Sequence, residues 1–162
     1  MNTNAYRRGM TASTSAHTEE PDLLASDFPV SFAIFALARQ HRGLASSLLA
    51  DLGLFPGQEL ILMQLRDRDG RSQKQLVDAL KLDHSTIAKS VRRLENAGLV
   101  TRAADEADAR VKVVSLTETG RALQERIRNV WTELENTSNR GLTEQERALF
   151  VELAHKVVSR LP

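Results

Sequence analysis

Between Asp83 and Arg93 the chain reads DHSTIAKSVRR, and its hydroxyls and cations fall at a spacing suited to hydrogen bonding in a nucleic-acid groove. Ile87, Val91 and Leu94 recur at helical intervals and form one apolar stripe, so Ser85, Thr86, Lys89, Ser90, Arg92 and Arg93 point elsewhere. From Arg71 to Arg102 there are seven cations (Arg71, Lys74, Lys81, Lys89, Arg92, Arg93 and Arg102) against three acids, Asp78, Asp83 and Glu95. That local excess is hidden in a whole-chain charge of +1. Clustered charge of this kind is the electrostatic footprint of phosphate binding. Plainer roles stay open: Arg92 and Arg93 as solvent-facing charges or partners for Glu95, and Ser85 and Thr86 as capping hydroxyls. Lys89, flanked by small residues on an outward face, is read as a DNA contact.

Other chemistries find little support. The chain has no cysteine, which excludes disulfides, thiolate metal sites and a thiol nucleophile. No nucleophile elbow, phosphate loop or dinucleotide fingerprint is present, and the acids scatter over helix surfaces. His17, His41, His84 and His155 show no metal-ligand spacing, and His84 is read as a surface residue in preference to a pH switch. The expectation is a non-enzyme with no catalytic residue, no cofactor and no metal.

The elements that must hold these side chains are marked by caps and breakers. Asp83 can cap the helix and Gly98 stops it; LVTRA follows as a strand, ADEADA as a loop and RVKVVSL as a second strand. Upstream, Ser72 caps QKQLVDAL, with Leu76 and Leu80 facing inward. Only Lys81 and Leu82 separate this helix from the next, which favours a crossed helix-turn-helix. A helix with hydroxyls and cations outward, followed by a two-stranded ribbon, is the layout of a winged helix-turn-helix for the major groove of double-stranded DNA. A first helix is expected from Pro29 to about Asp51 and a second from Pro56 to about Arg66, with DRDGR as a turn. Thr117 is expected to cap one long helix from Glu118 to Ser138, and Thr143 with Glu146 forms a capping box for a last helix.

The fold class expected is therefore mainly α: a winged helix-turn-helix with a small β-hairpin wing, plus N- and C-terminal helices for dimerisation. Residues 1–27, rich in Thr, Ser and Asn, are expected to be a disordered tail. Residues 28–53 are the N-terminal helix, 54–117 the DNA-binding domain and 118–162 the C-terminal helices. Phe28, Phe32, Phe35, Trp131 and Phe150 would stand exposed on a monomer, and a two-fold dimer of the terminal helices is the simplest cover. Hydrophobic content of 41% with 27% charged residues is ordinary for a globular chain, while 4% aromatics argue against a stacking surface for single strands. No apolar run approaches the roughly 18 residues of a membrane span, and no hydrophobic segment follows Arg7 and Arg8. A cytoplasmic location without membrane contact is expected.

In order and spacing, GLFPGQELILMQL, SQKQLVDALKLDHSTIAKSVRRLENAGLV, and Asp108-x-Arg110 followed by LTETG (Leu116–Gly120) resemble the MarR family of bacterial transcription regulators. The resemblance runs from about Phe28 to Leu161. It implies a homodimer with its interface on the first helix and the last two, acting as a repressor on a pseudo-palindromic operator, often relieved by a small anionic aromatic effector. By position it puts Ser85, Thr86 and Lys89 in the major groove and Gln73 near phosphate. Arg110 would reach from the wing toward the minor groove, held there by Asp108. Family members often carry a further basic residue beside the wing arginine; here Ala109 stands there, and Asp105 and Glu106 make the tip acidic. Arg39, His41 and Arg42 lie on the helix that borders the usual ligand cavity and could bind a carboxylate or form intersubunit salt bridges. The alternative to a DNA reader is a winged-helix protein-interaction module with an acidic protein partner. Its binding would lack the steep salt dependence of counterion release.

Overall fold

Apart from the long helix expected after Thr117, each expected helix forms where its periodicity and caps place it, give or take a turn. The structure, a computed structural model, describes residues 23–67, 70–105 and 110–161. It divides into two units, residues 1–36 and 37–162. In the first, α1 (Leu23–Asp27) is followed by the start of α2 (Pro29–Ala50), where the Phe32 and Phe35 rings lie 6.3 Å apart. Residues 23–27 are thus helical where a tail was expected; residues 1–22 lie outside the described residues.

The second unit holds the rest of α2 and the winged helix: α3 (Gln58–Asp67), β1 (Arg71–Ser72), α4 (Gln73–Leu80), α5 (His84–Asn96), β2 (Val100–Ala104) and β3 (Lys112–Leu116). It continues as α6 (Glu118–Ala122), α7 (Gln124–Ser138) and α8 (Glu144–Val158). The expected two-stranded ribbon is a three-stranded antiparallel sheet in the order β1-β3-β2. Arg71 pairs with Val114 and Ser72 with Val113, so part of the DRDGR segment read as a turn becomes an edge strand. The long helix expected after Thr117 is interrupted at Leu123, which separates α6 from α7.

The core lies under the helix-turn-helix. Leu49, Leu54, Ile61, Leu62, Leu65, Leu76, Ile87, Val91, Leu94, Val114 and Ile127 are buried together. Ile87, Val91 and Leu94, the apolar stripe of α5, are at most 1% exposed, which fixes the opposite face toward solvent. Ser72 and Gln75 form a capping box at the start of α4, and Thr143 and Glu146 form another at α8.

Two glycines shape the exit from α5. Gly98 has φ +70° and donates to the Glu95 carbonyl at 2.9 Å, which ends the helix in a left-handed residue. Gly120 sits where a side chain has no room: an added Cβ would land on the Leu99 carbonyl oxygen. That oxygen accepts from the Thr117 N–H at 3.1 Å, and the Thr117 hydroxyl donates to the Gly98 carbonyl at 2.7 Å. The LTETG segment therefore pins α6 to the α5–β2 corner.

Candidate nucleic-acid interface

The outer face of α5 is built from the spacing of its own sequence. With Ile87, Val91 and Leu94 inward, Ser85, Lys89 and Arg92 fall at i, i+4 and i+7 in one exposed stripe, with Thr86 and Arg93 beside it. Ser90 lies on the flank, half-buried, and does not share that stripe. Gln73 is half-buried at the first position of α4.

Not all seven cations of the cluster remain available. Arg102 on β2 is bound to Glu95 on α5, a contact that lowers the carboxylate's pKa and raises the guanidinium's. Glu95 is thus answered by Arg102 instead of Arg92 or Arg93. Arg71 is half-buried, with its Nε enclosed and without a hydrogen-bond partner. Lys74, Lys81, Lys89, Arg92 and Arg93 are exposed. Arg93 is held over the ring of Phe55, 5.8 Å from its centre, a cation–π contact that sequence reasoning missed because the loop before α3 reaches α5 only in three dimensions.

At the start of α5, Asp83 gathers three donors. Its carboxylate accepts from the Thr86 N–H at 2.8 Å, the Ser85 hydroxyl at 2.6 Å and the Thr86 hydroxyl at 2.5 Å. The Ser85 and Thr86 hydroxyls, then the Thr86 N–H, hold this carboxyl well below the usual carboxylate range. The expected capping role of Asp83 is present, but so is a grip on both hydroxyls. The sequence signal was visible: an aspartate followed at two and three residues by Ser and Thr.

The wing is closed by the Asp105 N–H donating to the Val111 carbonyl at 2.9 Å, and the pairing runs from Val100 with Leu116 to Ala104 with Lys112. Arg110 is exposed just before β3. Glu106, Asp108 and Ala109 lie outside the described residues, and with them the expected hold of Asp108 on Arg110.

Behind α5 is a cavity of about 360 Å³ lined mainly by apolar groups, among them Leu60, Val130 and Trp131. His41 and Arg42 line it; Arg39, also expected there, does not. Thr86 and Ser90 form its α5 wall, so one flank of the helix faces the cavity while the other faces solvent. Trp131, expected to stand exposed, is half-buried and packs against the core, and Phe32 is half-buried too. Glu59, unnoticed in the sequence, also lines the cavity. It is buried at the start of α3, accepts from the Gly57 N–H at 2.7 Å, and its pKa is raised, chiefly by desolvation. Among the described residues no cluster of His, Asp or Glu could hold a metal ion, and no helix is long and apolar enough to cross a membrane.

Comparison with known proteins agrees with this geometry. The family model for the MarR family matches residues 52–111. The transcriptional repressor NicR of Pseudomonas putida is 30% identical over 120 residues, covering 74% of this chain and 76% of its own. The structure of BpsR from Bordetella bronchiseptica, whose DNA binding is regulated by 6-hydroxynicotinic acid, has a TM-score of 0.75 at 28% identity, covering 82% of this chain and 94% of that one. A cysteine-to-serine mutant of MarR from E. coli, in complex with operator DNA, has a TM-score of 0.76 at 25% identity over 87% of this chain and 99% of that one. A matched helix-turn-helix, a repressor relative spanning most of both chains and a shared fold lead to one conclusion: the chain belongs to the MarR family of winged-helix, DNA-binding transcription regulators.

Proposed function

We propose that the protein is a homodimeric repressor that places α5 of each subunit in successive major grooves of a pseudo-palindromic operator. The observation that carries this is the single exposed stripe of Ser85, Lys89 and Arg92 opposite the buried stripe of α5. Lys89, Ser85 and Thr86 approach base edges, Arg92, Arg93 and Gln73 serve the phosphates, and Arg110 reaches the backbone or minor groove from the wing. Ser90, on the flank, takes a lesser part. Dimerisation draws on the terminal helices, whose Phe28, Phe35, Phe150 and Leu153 are 48–61% exposed. Burying such side chains stabilises by about 1.5–3 kcal/mol each.

Lys89→Ala tests the groove assignment. If Lys89 reads a base, operator affinity falls by about 1–3 kcal/mol with loss of preference at one position per half-site. If it serves phosphate, all sequences weaken alike and the salt slope shrinks by about one. An unchanged affinity and slope would remove Lys89 from the contacts to DNA.

The cavity supports a small-molecule effector, since about 360 Å³ lies in the range of small-ligand sites. Arg42 suits the carboxylate of a small aromatic acid, a class that includes the 6-hydroxynicotinic acid of BpsR. Glu59 on the same lining favours a ligand with a hydrogen-bond donor as well. Binding there would act on α5 through Thr86 and Ser90, and would release DNA only as far as the ligand prefers the DNA-free form. Titrating 6-hydroxynicotinic acid into the operator complex should displace DNA, and Arg42→Ala should blunt that displacement. Undiminished release from the Arg42→Ala protein would take Arg42 out of the site.

A further inference from the structure

The reading of α5 as the groove helix leaves open what its first turn recognises, and the polarity of two hydroxyls decides it. A Ser or Thr hydroxyl has one proton to donate and two lone pairs that accept. In this structure both protons are spent on one carboxylate: Ser85 Oγ donates to Asp83 Oδ1 at 2.6 Å and Thr86 Oγ1 to Asp83 Oδ2 at 2.5 Å. What remains on each oxygen is its lone pairs, and both residues are exposed. Phosphate oxygens are acceptors only, so neither hydroxyl can bond phosphate while Asp83 holds it. In the major groove, adenine N6 and cytosine N4 present an amine donor, whereas guanine O6 and N7 and thymine O4 are acceptors.

We infer that Asp83 is a specificity-positioning residue: by taking the protons of Ser85 and Thr86 it commits the start of α5 to base edges that present an amine, adenine or cytosine, and turns it away from phosphate. This rests on the groove reading of α5. It requires the carboxylate to stay ionised at neutral pH, which its three donors ensure. Lys89, one turn along the same stripe, then carries positive charge that the first turn lacks. Selectivity here comes from a fixed direction of donation, which hydroxyls free to rotate would not give.

The plainer role for Asp83 is that of a helix cap, and Asp83→Asn separates the two. Asparagine caps as well as aspartate, so the fold is kept. Its single carbonyl oxygen cannot take both hydroxyl protons as well as the Thr86 N–H, and its amide donates, so at least one hydroxyl is free to turn its proton outward. Full-length protein and this variant are each used to select from duplexes randomised across the half-site, with thermal unfolding measured in parallel. The intact protein should enrich adenine or cytosine at one or two adjacent positions. In Asp83→Asn that preference should fall about tenfold or move toward guanine or thymine, other positions and the unfolding temperature staying the same. Thr86→Val, which removes one hydroxyl without the cap, should erase preference at one of those positions only. Unaltered base preferences in Asp83→Asn would overturn the inference. So would a wild-type preference for guanine or thymine at the position that Thr86→Val erases. If the intact protein enriched no sequence at all, the groove reading itself would fail and this inference with it.

Discussion

The winged helix and α8 obey opposite rules of burial. In the winged helix, Ile61, Leu62, Leu65, Leu76, Ile87, Val91 and Val114 are fully buried, and a closed core holds α3, α4, α5 and the sheet. In α8 no residue is buried, although Leu149, Phe150, Val151, Leu153, Val157 and Val158 make it one of the most apolar helices in the chain. Sequence periodicity alone makes both look like core-forming helices. The difference is that one has its partner within the chain, whereas the other leaves its apolar side chains exposed. On the proposed homodimer, recognition would be built into each subunit, while the spacing of two recognition helices, about 34 Å for successive major grooves, would come from assembly.

The largest expected effect follows from that division. Phe150→Glu with Leu153→Glu puts charge at two exposed positions of a helix in which no residue is buried, so unfolding of each subunit should change by no more than about 0.5 kcal/mol. Assembly should be lost, and with it the gain from linking two half-sites at high effective concentration, about 10²-fold or more in operator affinity. Sedimentation beside an operator titration measures both. A variant that stays dimeric would move the interface away from α8, and a monomer binding the full palindrome as tightly as the parent would break the comparison.

Next in size is a change confined to the winged helix. Gly120→Ala would drive a methyl into the Leu99 carbonyl oxygen, which is tied to the Thr117 N–H at 3.1 Å and cannot retreat without opening the α5–β2 corner. We expect destabilisation of about 3 kcal/mol, the upper end for overpacking, read by denaturant unfolding, with assembly through α8 intact. A loss below about 1 kcal/mol would show that α6 can slide, and that the corner is less rigid than its hydrogen bonds imply.

How much of this was legible in the sequence depends on the range of the contact. Ser72 with Gln75, Thr143 with Glu146, and Asp83 with Thr86 are three residues apart, and each was readable as a cap because the partners share one turn. The stripe of α5 was readable for the same reason. β1 was not: its two residues form a strand only because Val113 and Val114 arrive beside them from some forty positions along the chain. Phe55 under Arg93 and the burial of Glu59 and Trp131 are likewise meetings between distant segments, and even Arg102 on Glu95, only seven residues apart, depends on how β2 turns back beside α5, which no helical or strand pattern announces. Thus the exposed residues of α5 follow from its periodicity, although Ser90, read with them, is half-buried, whereas the cavity behind the helix is lined by groups from separate segments, among them Glu59, that no local pattern marks as neighbours.

The smallest effect concerns a strained residue in the turn of the helix-turn-helix. Lys81 ends α4 at φ 53° and ψ 35°, the left-handed region, while its N–H donates to the Val77 carbonyl at 2.8 Å. A residue with a Cβ gives up roughly 1–2 kcal/mol there, and glycine does not. Lys81→Gly should therefore be more stable than Lys81→Ala by about 1 kcal/mol, a comparison in which both variants lose the same charge. Against the parent the gain should be smaller, since glycine also frees the unfolded chain. The lysine makes sense if its charge matters more than the strain: it is exposed and belongs to the basic cluster around α5. Both variants should then bind DNA more weakly than the parent and with a salt slope about one unit shallower, whatever their stability. Stability of the two variants in urea, set beside their salt-titrated binding, decides the matter. Equal stability would mean the turn relaxes out of the left-handed region, and unchanged salt dependence would place Lys81 outside the phosphate-facing surface, leaving its strain without a functional return.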